Sequence, residues 1–376
     1  MTSRDRLQKV LKREIPDCVP VAPDFSNMIP ARRTGKPFWD LYLYNDPPIW
    51  EAYIECARYF NIDSVMDGYF PLTFPDEKEN EPEWETDIVF RNPDRIVTQQ
   101  SYMDHNKRIW KDRVDVYYRA DPPTFDVLPS AIHLPVIPDT WEPFEAHPVD
   151  LGPDGFERIK RLMGDQGLVG VWLTSSCALC KPEEIYHYFD HPEMHEIWAQ
   201  ERIKTVETRF RRIMSMNVRP DFLCVGGSGT LVYQSMDIFC QLVFPAVKRA
   251  IDLATQAGIP THLHSCGPEK ALVQLMAEET DLTVIDPLEV PPMGDCHLAD
   301  LKKRYGDQII LKGNLHTIQV MLNGSPDDVI QASRQAIDAA AEGGGFILST
   351  GDQCGRDTPD ENLFAMIETA RTYGKY

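Results

Sequence analysis

Eight short apolar runs alternate along this chain with longer amphipathic stretches, and that alternation constrains the fold more than any other feature. The runs span residues 19–25, 64–70, 167–174, 222–226, 260–264, 282–287, 308–312 and 346–350. Helical patterns cover 48–60, 182–216 (two helices, broken at Pro192), 236–256, 269–279, 298–305, 326–342 and 359–373. Strands that alternate with helices over short connections predict a parallel sheet with helical crossovers. Eight such strands predict a (β/α)8 TIM barrel, and 376 residues suit one such domain, 1–376, with insertions. The stretch 81–146 breaks the rhythm. It reads as an antiparallel β insertion or cap between the second and third barrel strands. Its Trp84, Trp110, Tyr117 and Tyr118 either roof a pocket or pack on the side of the barrel.

Composition excludes several classes. A net charge of −20 speaks against nucleic acid as a partner, because phosphates need a basic surface. No apolar run is long enough to span a membrane. The first residues are charged and read as a helix with Leu7, Val10 and Leu11 on one face, stopped by Pro16. Without an export signal the expected location is cytoplasmic. The nine cysteines then predict no disulfide framework. They are small apolar residues, metal ligands or nucleophiles.

Three strands end in polar, turn-forming segments: Gly226-Gly227-Ser228-Gly229, His264-Ser265-Cys266-Gly267 and Gly351-Asp352-Gln353-Cys354. In barrels, sites are built at those ends. His264 and Cys266, spaced by two, face the same side of an extended strand. A second strand delivers Cys354 to the same rim. One imidazole and two thiolates suit zinc, and three protein ligands with one open position is the catalytic pattern. Alone, H-x-C also describes a rim histidine and a small residue in a turn.

The C-terminal half resembles the uroporphyrinogen decarboxylase superfamily, and within it the cobamide-dependent methyltransferase branch. The resemblance rests on THLHSCG (261–267), IDPLE (285–289), ILKGNL (310–315), GGGFILSTGDQC (343–354) and TPDENLFAM (358–366). It covers residues 220–376 well and the first 160 thinly. It implies a (β/α)8 barrel and a zinc ion on His264, Cys266 and Cys354. It further implies a separate corrinoid protein as partner, since the chain has no D-x-H-x-x-G cobalamin motif of its own. Monomers and homodimers are the oligomeric states that such a resemblance implies.

The expected reaction moves a methyl group from a small methylated substrate, an aromatic methyl ether, to the partner's cobalt. Zinc against the ether oxygen would stabilise the charge that grows there. Phe25, Phe38, Trp39, Tyr42, Tyr44, Tyr69 and Phe70 are candidates for a slot that takes the ring. Three alternatives stand beside this reading: methyl transfer from the corrinoid to a coenzyme M-type thiol, decarboxylation, and a non-catalytic metal-binding or corrinoid-binding role. Decarboxylation is disfavoured because Arg32 and Arg33 lack the decarboxylases' surrounding pattern.

Around the expected metal, Glu289 is read as a fourth ligand or a rim salt bridge, and Asp352 as a residue that orients His264. Asp67, with Asp63 near it, is set in the place of the superfamily's catalytic aspartate. Gly227 and Ser228 are read as a turn that lets substrate approach backbone, and Asn314 as a hydrogen-bonder to loop backbone or substrate. Cys177 and Cys180 form a C-x-x-C read mainly as rim packing. His187, His191 and His195 are read as surface residues, with Asp190 as a helix cap.

Overall fold

The structure is a computed structural model that describes residues 1–74, 84–179 and 181–376. Cys180 and residues 81–83 of the expected insertion lie outside the described residues. The chain forms two sheets. Strands β1 (Ser64–Met66), β7 (Gly167–Trp172), β8 (Phe222–Cys224), β9 (Thr261–His264), β10 (Val284–Asp286), β11 (Ile310–His316) and β12 (Phe346–Gly351) make a parallel sheet in that order. Each of these strands is nearly all buried, as expected when helices cover a parallel sheet.

The first apolar run is not a full strand. Val21 makes an isolated parallel bridge to Leu348. Ala22 N–H donates to Leu348 O, Leu348 N–H donates to Pro20 O, and Asp63 N–H donates to Val21 O. This extended segment therefore bonds both edges of the seven-stranded sheet. Pro20 and Pro23 flank it, and a residue without an N–H breaks a ladder. Asp63 locks the junction: it accepts from Arg6, Arg371 and Val21 N–H. Asp63 is thus a structural anchor.

The second sheet holds β2 (Glu85–Arg91), β3 (Arg95–Asp104), β4 (Lys107–Tyr118), β5 (Thr124–Val127) and β6 (Glu142–Pro143), all antiparallel, in the order β5-β4-β3-β2-β6. It is the expected insertion. Ile88 and Ile96 pack against Leu43, Trp39 and Tyr44, which dock it on the early helical segments.

The predicted helices are present, including the break at Pro192 between Pro182–Asp190 and His195–Met214. His195 departs from the sequence expectation. It is buried, stacks on Tyr188, and bonds Tyr188 O and Gln241, so it is a packing residue. Asp190 closes the first helix, and the chain passes through a short 3-10 turn before the second. The helix Pro153–Met163 was missed: its apolar residues are few, with Phe156, Ile159 and Met163 buried and Leu162 half-buried. Among the described residues, no helix is long and apolar enough to cross a membrane.

Candidate metal centre and cavity

Two neighbouring strands build the centre. In the parallel register His264 pairs with Asp286 and His262 with Val284. Residues two apart share a face, so both imidazoles point the same way. Asp286 Oδ1 receives His262 Nε2 at 2.9 Å and His264 Nδ1 at 3.1 Å, and its Oδ2 receives Lys312 Nζ from β11. Asp286 is 1% exposed and Lys312 5%, so this is a buried ionic hub. Burial alone would raise the Asp286 carboxyl, but Lys312, His262 and His264 hold it well below the ordinary range. Burial alone would lower His264, but Asp286 holds it well above the ordinary histidine value.

With Nδ1 committed to Asp286, His264 presents Nε2. That atom is buried and has no hydrogen-bond partner. The ligand atoms of His264, Cys266 and Asp352 all lie within 4.8 Å of one another, and Asp352 Oδ1 stands 3.6 Å from His264 Nε2. An imidazole, a thiol and a carboxylate, with the imidazole fixed by a second carboxylate, is the donor set and support that zinc takes. The residues therefore fit the metal.

Cys354 is not part of this cluster. It is fully buried, and burial pushes its thiol up to about 12. Asp352, expected as an orienting residue, joins His264 and Cys266 in the cluster. Its φ of +91° turns the loop so that its carboxylate reaches His264. Asp286, two strands from that loop, does the orienting. Glu289 Oε2 accepts Gly267 N–H, so it clamps the loop after Cys266 and stands outside the ligand cluster. Asn314 Nδ2 donates to Leu288 O at 3.0 Å. Asp67 Oδ2 lies 3.4 Å from His262 Nδ1, and burial pushes its carboxyl up against the pull of His262 and Lys312.

A cavity of about 450 Å³ opens beside His264. Asp67, Gly227 and Ser228 line it, with Asp24, Tyr69, Trp172 and Gln353. Of the aromatic residues expected to form a slot, Tyr69 alone is among its lining residues. Phe25, Phe38 and Phe70 are core, and Trp39 and Tyr44 pack against the insertion. The aromatic residues of the insertion pair among themselves, Trp84 with Tyr102 and Trp110 with Trp141, and are not among the lining residues. Trp172 was not anticipated. A tryptophan ending a buried strand at the rim was the available signal. For Asp286 and Lys312 the signal was one charged residue in each of two apolar strands, since such charges are buried only when paired.

Gly68 makes room for Trp172. Its φ is +69°, and a Cβ there would lie 1.7 Å from Trp172 Nε1. Gly68→Ala is therefore expected to cost about 1–3 kcal/mol and to close part of the cavity. A thermal melt indistinguishable from wild type would contradict this.

Arg32 and Arg33 are not among the cavity's lining residues. Arg32 donates to Arg356 O and Thr358 O, both pair with Asp360, and Arg33 lies over the Tyr59 ring. Neither is placed to hold substrate carboxylates.

Glu269 is fully buried beneath the loop. One oxygen accepts Leu288 N–H at 2.8 Å and the other has no partner. Burial pushes its carboxyl well above the ordinary value. Unfolded glutamate ionises above about pH 4.3 while the folded form keeps its proton, so stability falls as pH rises toward the folded pKa. Glu269→Gln keeps the shape and the acceptor. Its stabilising effect should grow as pH rises from the unfolded carboxyl's range toward the folded value and vanish in acid. A shift that is the same at every pH would contradict the assignment.

The chain is similar to known methyltransferases in fold and, over part of its length, in sequence. Over 99% of both chains the fold matches a methyltransferase from Methanosarcina mazei, with a TM-score of 0.62 and 16% sequence identity. Residues 229–373 match the family model of uroporphyrinogen decarboxylase (URO-D). The methylcobamide:CoM methyltransferase MtbA of Methanosarcina mazei is 30% identical over 139 residues, 36% of this chain. Its counterpart in Methanosarcina acetivorans is 28% identical over 137 residues. Each match spans 37% of the relative's own length. The family-model match covers less than half of the chain and the relatives match 36% of it, so these are likenesses of part of the chain to the uroporphyrinogen decarboxylase family and to cobamide methyltransferases.

Proposed function

We propose that this chain is a zinc-dependent methyltransferase. It moves a methyl group from an aromatic methyl ether to the cobalt of a corrinoid carried by a separate protein. The observation that carries the reading is the buried, unpartnered Nε2 of His264, which converges with Cys266 and Asp352 beside a cavity of about 450 Å³. The relatives named above support methyl transfer involving a cobamide. In the fold, we read residues 19–22 as the eighth stave of a closed barrel, since they bond both sheet edges.

His264 and Cys266 would hold the metal with Asp352, or with Cys354 as the motif resemblance implies. Zinc, when bound, supplies a Lewis acid for the ether oxygen. The protein's own residues do the rest. Asp286 fixes the His264 tautomer so that Nε2 faces the cavity. Glu289 holds the Gly267 turn that carries Cys266. Trp172 and Tyr69 offer ring faces to an aromatic substrate.

The second reading, transfer from a methylcorrinoid to a thiol, is favoured by the names of the two relatives and uses the same ligands. Assays of the zinc-loaded chain separate the two: demethylation of 2-methoxyphenol by cob(I)alamin, against methylation of 2-mercaptoethanesulfonate by methylcobalamin. The proposal expects the first. Activity confined to the second would replace the substrate class, and activity in neither would remove the proposal.

A further inference from the structure

The cavity beside the metal cluster has an uneven charge. Asp24 and Asp67 line it, and neither lysine nor arginine is among its lining residues. Basic groups around it are engaged elsewhere. Lys312 is paired with Asp286, Arg32 with Asp360, and Arg209 donates to Trp172 O and Leu72 O. A zinc ion would not offset the two aspartates. Its charge is matched by the Cys266 thiolate and the Asp352 carboxylate, or by two thiolates if Cys354 takes part. Asp24 is held in place, since its Oδ1 accepts Ser26 N–H at 2.7 Å and the Tyr69 hydroxyl at 3.4 Å. Asp67 keeps one oxygen toward His262.

We propose that Asp24 and Asp67 are specificity-determining residues that make this cavity select a neutral methyl ether bearing a free hydroxyl, and reject ligands that carry a carboxylate or a sulfonate. The inference rests on the methyl-transfer reading for the ether but not for the charge rule. A hydroxyl on the ring donates to a carboxylate in a charge-assisted bond. An anionic substituent meets the carboxyl oxygens of Asp24 and Asp67 in a partly desolvated space, with no lysine or arginine among the lining residues to pair with it. The Trp172 and Tyr69 side chains line the space, and the volume lies within the usual range for small-molecule sites. The same rule disfavours 2-mercaptoethanesulfonate while leaving an uncharged thiol acceptable.

The test is calorimetric binding to the zinc-loaded full chain at neutral pH. 2-Methoxyphenol is compared with 2-methoxybenzoate, and 2-mercaptoethanol with 2-mercaptoethanesulfonate. The neutral member of each pair should bind about 30-fold more tightly or better. Asp24→Asn and Asp67→Asn should each shrink that ratio by roughly fivefold or more, by letting the anion in. Equal or tighter binding of the anions, no binding of 2-methoxyphenol, or a ratio unmoved in folded variants overturns the proposal. If neither variant folds, the wild-type ratios decide. Charge-selective binding without methyl transfer to cob(I)alamin would overturn the methyl-transfer reading and leave this one. Turnover of 2-methoxybenzoate as fast as 2-methoxyphenol would do the reverse.

Discussion

Cys266→Ala is expected to lower methyl transfer from 2-methoxyphenol to cob(I)alamin by about a thousandfold or more, the scale for losing the group that stabilises the leaving oxygen. Fold and thermal stability should change little, because Cys266 sits half-exposed at the rim and its thiol belongs to the ligand cluster. Cys296→Ala provides the contrast. That thiol is fully buried, stands outside the cluster, and is pushed above the ordinary thiol range by burial. Its loss should cost stability and spare turnover. Equal turnover in Cys266→Ala and wild type, both carrying zinc, would remove Cys266 from the mechanism.

Asp286→Asn should be the most destabilising single change at the centre. The hub holds one carboxylate against the Lys312 ammonium and two imidazoles at 5% exposure or less for all but His264, which is 9% exposed. Removing the carboxylate leaves a buried lysine without its counter-charge, which costs about 3–5 kcal/mol. Lys312→Met in the same chain should recover much of that loss, because the uncompensated charge goes with it. The pH dependence follows from the depressed Asp286 pKa. Its contribution is present above the unfolded carboxyl value of about 3.9 and is lost as pH falls through the folded value. Urea unfolding at neutral pH reads the loss. A midpoint in Asp286→Asn equal to wild type would show that the hub does not stabilise the fold. The same variant should also bind zinc about 10–100-fold more weakly, since His264 loses the partner that orients it.

Much of this was legible from the residues alone. Seven of the eight strands follow from apolar runs, because a strand covered on both faces carries a nearly unbroken apolar pattern. The run at 19–25 was overread: its prolines permit extended backbone but not a ladder. That His264 and Cys266 converge was legible, because their spacing sets them on one face at a strand end. That Asp352 joins them was not. Asp352 and Cys354 lie on one loop two residues apart, and the backbone turn at Asp352 decides which side chain reaches His264. Asp286 and Lys312 were passed over because their partners are distant in sequence, and only the strand register brings them together.

The zinc content of the purified, zinc-supplied, reduced protein decides whether His264 and Cys266 hold a metal. Wild type should be compared with His264→Ala, Cys266→Ala, Asp352→Ala and Cys354→Ala. One zinc per chain is expected in wild type, lost in His264→Ala and Cys266→Ala, and lost or sharply weakened in one of the other two, which names the third ligand. A wild-type chain without zinc, or zinc kept in full by both His264→Ala and Cys266→Ala, would contradict that expectation.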